Sequence, residues 1–230
     1  MTSRQRRWVL AMAIGAVAVA TLVGIAFESR RRMLVKFEEQ ERRRAELFLK
    51  PRAGEVFAYD LRNVGSYLAP LRNDASVHYF GMEQSTFGPA GSRDLLQIPN
   101  LREVMLCGMA LSNEELQPIL DHPSVRGLAL VYSRVPPEAL PKIAANPRLE
   151  RLVLTGPSIS SAPPAEFDRF LEQLAGSQSL IGLWLSTPPF SAAAIQRLRD
   201  QRPDLQVQVV GENFWCGEAS IAIRLAPTVR

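Results

Sequence analysis

With 230 residues, 47% of them hydrophobic, the chain suits one ordinary domain with appendages and is too apolar to be wholly disordered. Two cysteines, Cys107 and Cys216, and two histidines, His78 and His122, exclude a disulfide-stapled miniature, a four-thiolate zinc site and a histidine-rich metal site. The net charge of +4 lies on two segments flanking one apolar run: residues 1–7 carry +3, 28–52 carry +4 and 53–230 carry −3. That division excludes the basic folded surface that nucleic-acid binding requires.

After the basic segment 1–7, residues 8–27 (WVLAMAIGAVAVATLVGIAF) hold twenty positions without a charge. As a helix they span roughly 30 Å, the hydrocarbon thickness of a bilayer. Trp8 and Phe27 stand at the ends, where aromatic rings prefer the interface. A cleaved signal peptide is the rival reading, with Ala18-Val19-Ala20 or Gly24-Ile25-Ala26 supplying small residues before the cut. An uncleaved anchor is favoured because the run exceeds an ordinary signal-peptide core and Arg30-Arg31-Arg32 follows it as a stop-transfer flank. This places the protein in a cell membrane as a single-pass chain. The basic residues before and after the span leave the side of the body open. Ala16, Ala20 and Gly24 recur every four residues and offer weak support for pairing of two such helices.

Residues 28–52 alternate blocks of opposite charge, and no Gly or Pro occurs before Pro51. Glu38 with Arg42 and Glu39 with Arg43 have the favourable i,i+4 order, which predicts a charged helical stalk ending near Pro51. Arg30, Arg31 and Arg32 form a collar suited to anionic lipid headgroups. The rest reads as a solvated spacer.

The body repeats. Leu101-x-x-Val104-x-Leu106 returns as Val125-x-x-Leu128-x-Leu130, Leu149-x-x-Leu152-x-Leu154 and Leu180-x-x-Leu183-x-Leu185, with steps of 24, 24 and 31 residues. Leu205-x-Val207-x-Val209 opens another strand. Each unit then shows a helix start: Ser112-x-x-Glu115 is a capping box, Pro136-Pro137 precede Glu138, and Ser191 follows Phe190. In the third unit an insertion, 159–177, carries Phe167, Phe170, Leu171 and Leu174 on one helical face. Val77 lies one period before Leu101, so 77–100 is a weaker first unit. Residues 53–76 are expected to cap the array with an amphipathic helix over 61–71. Residues 210–230 are expected to close it with a hairpin in which Ile221, Ile223 and Leu225 alternate.

The pattern L-x-x-L-x-L followed by an apolar-capped helix over 77–209 resembles the leucine-rich repeat family, in particular bacterial membrane-anchored members. L-S-N-E-E-L (111–116) and V-P-P-E-A-L (135–140) are similar to a helix element of a common bacterial subtype. The resemblance implies an α/β solenoid of strand-turn-helix units around a parallel sheet, carried here on an N-terminal transmembrane helix and stalk. The family places Asn or Thr eight residues after each first leucine. Met109, Ser133, Pro157 and Pro188 stand there, and only Ser133 has the hydroxyl to bond the turn.

No nucleotide-binding, metalloprotease, redox or serine-hydrolase motif occurs, so the chain is read as a non-enzyme without cofactor or metal. An enzyme or subunit with a site in 157–166 or 211–218 is the alternative, and a purely structural envelope component is the third reading. Cys107 and Cys216 belong to units about three strand spacings of ~4.8 Å apart, which predicts free thiols. Leucines at offsets 0, 3 and 5 face the core, so offsets 4 and 6 face the concave side. They are Met105 and Cys107, Ala129 and Val131, Val153 and Thr155, Trp184 and Ser186, none of them charged. Such a strip is covered by something. It is either a protein-binding face, with Trp184 as anchor, or the seat of the chain's own 85–98 loop or C-terminal tail. The expected partner is a protein together with a membrane, and not nucleic acid.

Overall fold

The computed structural model describes residues 3–88, 90–156, 162–211 and 214–224, with the backbone alone for 3–22. It divides into two units, Met1–Arg44 and Ala45–Arg230.

The first unit is the greater part of helix α1 (Ser3–Phe48). The expected pair of Glu39 and Arg43 forms at 2.6 Å, and Glu28 engages Arg32 at 3.0 Å and Arg31 at 3.9 Å. These pairs are exposed and contribute little beyond local helicity. Arg30, Arg31 and Arg32 are solvent-facing. The helix stops three residues before Pro51, as the proline dictates. Among the described residues no helix is long and apolar enough to cross a membrane. The expected span, 8–27, and the basic segment 1–7 fall largely on residues whose side chains lie outside the described ones.

In the second unit seven strands form one parallel sheet in chain order: β1 (Glu55–Tyr59), β2 (Tyr79–Glu83), β3 (Glu103–Cys107), β4 (Gly127–Val131), β5 (Arg151–Thr155), β6 (Gly182–Ser186) and β7 (Gln206–Val210). The 24-residue period is the register itself: Glu55 stands beside Tyr79, then Glu103, Gly127 and Arg151. The 31-residue step moves the pairing to Gly182 without shifting it. A row of Val56, Phe80, Val104, Leu128, Leu152 and Leu183 therefore runs across the sheet, every member fully buried. Helices α2 (Asn113–Asp121), α3 (Ala139–Ala144), α4 (Pro164–Ala175) and α5 (Ala192–Gln201) follow β3 to β6 in turn. Their apolar sides complete the main core with those leucines. Phe167, Phe170, Leu171 and Leu174 are buried as the helical spacing predicts. The Ser112–Glu115 capping box closes reciprocally, and Ser191 caps α5 through the Ala194 N–H.

Three expectations need correction. First, the array begins one unit earlier: 53–76 contains β1, paired with β2 along its whole length. Second, the helix expected over 61–71 is two short 3-10 turns, Val64–Tyr67 and Ala69–Leu71. At Gly65 the first turn passes close against the neighbouring loop, where a Cβ would clash with the Gly91 carbonyl. Third, the C-terminal hairpin is absent among the described residues. The chain instead forms helix α6 (Cys216–Arg224), which lies against β3, β4 and β5 on the face opposite the main core. The sheet is thus covered on both faces over β3 to β5, which explains why those strands are buried at every position.

Ser133 does bond the turn: its hydroxyl lies 2.9 Å from the Leu106 carbonyl and accepts the Met109 N–H at 3.2 Å. Ser85, at the same offset from Val77, repeats this with the Leu61 N–H, so the weak first unit keeps the polar turn residue.

Candidate functional site

Three side-chain rows make up the inner face. The first runs Glu55, Tyr79, Glu103, Gly127, Arg151, Gly182; the second Phe57, Gly81, Met105, Ala129, Val153, Trp184; the third Tyr59, Glu83, Cys107, Val131, Thr155, Ser186. The strip expected from sequence is assembled as drawn. Met105, Ala129, Val131 and Val153 are at most 1% exposed, and Trp184 is 7% exposed. Their cover is α6, whose Cys216, Ala219 and Ile223 pack into the same apolar cluster. Of the occupants that the sequence left open, the chain's own C-terminal segment sits there. The strip is interior in this structure, not an open concave surface.

Small residues set the depth of that seat. Gly127 leaves the centre of the first row empty, and a Cβ there would lie 3.1 Å from Glu103 Cγ and 3.4 Å from Ile223 Cβ. The gap also lets side chains two strands apart meet: Arg151 Nη2 reaches Glu103 Oε1 at 3.3 Å over Gly127. Burial pushes the Glu103 carboxyl up, against the pull of Arg151. Trp184 folds its ring over Gly182 and donates from Nε1 to Gln208 Oε1 at 2.9 Å, so its polar edge is satisfied within the sheet. Ser186 accepts the Gly156 N–H at 2.9 Å, which makes it a turn-bonding residue. Thr155 is buried, and its hydroxyl has no hydrogen-bond partner among the described residues.

Two contacts fasten α6 at its ends. At the first, Cys107 and Cys216 form a disulfide, with Cα atoms 6.1 Å apart and 109 positions between them in sequence. The expectation of free thiols is therefore corrected. Strand spacing separates the units along the sheet, but the segment after β7 is not bound to its own unit and returns across three strands. At the second, Arg224 lies 3.9 Å above the Tyr79 ring and bonds Glu55 at 2.5 Å. Burial pushes the Tyr79 hydroxyl up, while hydrogen bonds with Ser220 and Arg224 oppose the shift.

The titratable groups elsewhere serve the fold. His122 is fully buried; its Nδ1 accepts the Ser124 N–H at 3.1 Å and its Nε2 faces the Ile98 carbonyl at 2.9 Å. Both bonds suit the neutral ring. Burial holds its pKa below the ordinary 6.5. The unfolded chain therefore takes up a proton first as the pH falls, and stability is lost below about 6.5, by at most ~1.4 kcal/mol per pH unit. The urea midpoint at about pH 5.5 is expected to lie below that at about pH 7.5, and His122→Gln should flatten the difference. An equal slope in the variant would remove His122 from this account. Glu83 approaches the disulfide sulfurs, but with both thiols bonded to each other this trio offers no thiolate to a metal. Of the loops named for an unrecognised enzyme site, 157–161 and 212–213 lie outside the described residues. In the described remainder Glu218 accepts the Trp215 N–H at 3.2 Å as a helix-start contact.

No family model matches the chain, and no curated protein matches its sequence.

Proposed function

We propose that this chain is a non-enzymatic leucine-rich repeat protein, tethered to a cell membrane by residues 8–27, whose body binds a protein partner along its C-terminal edge. The observation that carries this reading is β7. Among the described residues it pairs with β6 alone, and its five residues Gln206-Val207-Gln208-Val209-Val210 carry no charge. Natural edge strands are guarded by charge, proline or a covering element. Here Val209 is 45% exposed, and Trp215, five residues past the strand, is 63% exposed. An extended partner segment can add to such an edge, with tryptophan as an anchor.

The uncharged run with its arginine flanks supports the tether. The disulfide supports a body on the oxidising side of that membrane. A photocrosslinking residue at Val209 is expected to trap one partner in intact membranes, and the same residue at exposed Glu172 on α4 to trap none. Equal adducts at both positions, or none at Val209, would overturn the docking edge. Alkaline extraction should leave the full-length chain in the membrane pellet; a soluble chain starting at Thr21 or Phe27 would remove the tether.

A further inference from the structure

At the end of the strands away from the disulfide, the repeat sets like residues side by side. Arg102 and Arg126 immediately precede the register partners Glu103 and Gly127, so they stand at the entries of neighbouring strands, ~4.8 Å apart at the backbone. A cavity of about 540 Å³ opens beside them, and four guanidiniums, those of Arg102, Arg126, Arg151 and Arg224, share its lining with two carboxylates, Glu103 and Glu150. Glu55, outside the lining, pairs with Arg224, so four guanidiniums and three carboxylates leave a net +1 here, in a body whose charge over 53–230 is −3.

The carboxylates do not neutralise the site. Glu103 is taken by Arg151, which still has a buried Nε–H without an acceptor among the described residues. Glu150 lies 3.7 Å from Arg126 Nε, beyond hydrogen-bond length. Arg126 turns Nη1 to the Pro123 and Val125 carbonyls, at 2.9 and 3.0 Å. The exposed Arg102 side chain has no hydrogen bond or ion pair among the described residues. Like charges one strand apart repel unless an anion joins them.

We propose that this cleft binds a phosphomonoester, held between Arg102 and Arg126 and walled on one side by Arg224 of α6. A phosphomonoester offers three acceptor oxygens to the two guanidiniums of Arg102 and Arg126, whereas a carboxylate offers two. Guanidinium forks bind its oxygens in pairs. The volume falls within the ~300–1,000 Å³ of small-molecule sites.

The test uses the full-length chain in uncharged detergent micelles, titrated calorimetrically with glycerol 3-phosphate. One saturable site per chain is expected. Arg102→Gln and Arg126→Gln should each weaken it about tenfold or more, while Arg169→Gln, exposed on α4, leaves it unchanged. Unfolding midpoints of the variants separate lost binding from lost folding. Amide exchange in α6 should slow with ligand, because Arg224 belongs to the site. Micelles doped with phosphatidic acid distinguish the source: saturation by these alone, with the same arginine dependence, assigns a lipid headgroup. The proposal is overturned if neither probe saturates, or if Arg102→Gln and Arg126→Gln bind as the unmodified chain does.

Discussion

Leu152→Ala is expected to lower the unfolding free energy by about 2–5 kcal/mol, toward the upper end of that range. Leu152 is fully buried at the second position of β5, with Leu128 and Leu183 beside it in register. Both neighbouring backbones are held by ladder hydrogen bonds, so the space left by the side chain cannot close by a local shift. The cost therefore includes the cavity as well as the lost transfer energy. Val207 occupies the equivalent position on β7, where it is only partly buried and the strand has one neighbour. Val207→Ala should cost clearly less. Urea unfolding of the two variants decides the matter: equal midpoint shifts would mean that the row does not run through the core as described.

The second large effect belongs to Cys216→Ser. The chain-entropy model assigns ~4.7 kcal/mol to closing a loop of about 100 residues, and this bridge spans 109 positions. Part of that loss is local. Helix α6 has nine residues, too few to persist in water alone, so its helicity depends on its seat. Thermal unfolding of Cys216→Ser without reductant should begin well below that of the unmodified chain. Exchange should be fast in α6 and remain slow in β4. Thiol titration of the unfolded, unreduced chain should find no reactive sulfur; two would restore the free-thiol reading and cancel this prediction.

Much of the sheet was legible because one residue type marks one geometric role. Leucines at offsets 0, 3 and 5 define the core side of each strand, and the register pairs reproduce the 24-residue step. The first unit is hard to read because β1 has Ala58 where β3 to β6 have leucine, and its helix is replaced by 3-10 turns. The covering helix is ambiguous in sequence for a different reason. Over 216–225, Ile221, Ile223 and Leu225 fit a two-residue period, while Cys216, Ala219 and Ile223 fit a helical face equally well. Only the apolar strip across β3 to β6 decides between them, and that strip exists only once the sheet is assembled. The same assembly makes the arginine cleft visible: Arg102 and Arg126 are far apart in sequence and adjacent only through strand pairing.

The cystine also changes what a cut in the backbone does. Residues 107–216 form a covalent ring that contains β4 to β7, with β3 contributing its last residue. A protease nick within that ring, for instance at the exposed turn after α4, severs the main chain but releases no fragment until the sulfurs are reduced. Tension applied near Arg224 likewise passes from Cys216 directly to Cys107, so the last strands cannot be peeled away one by one from that end.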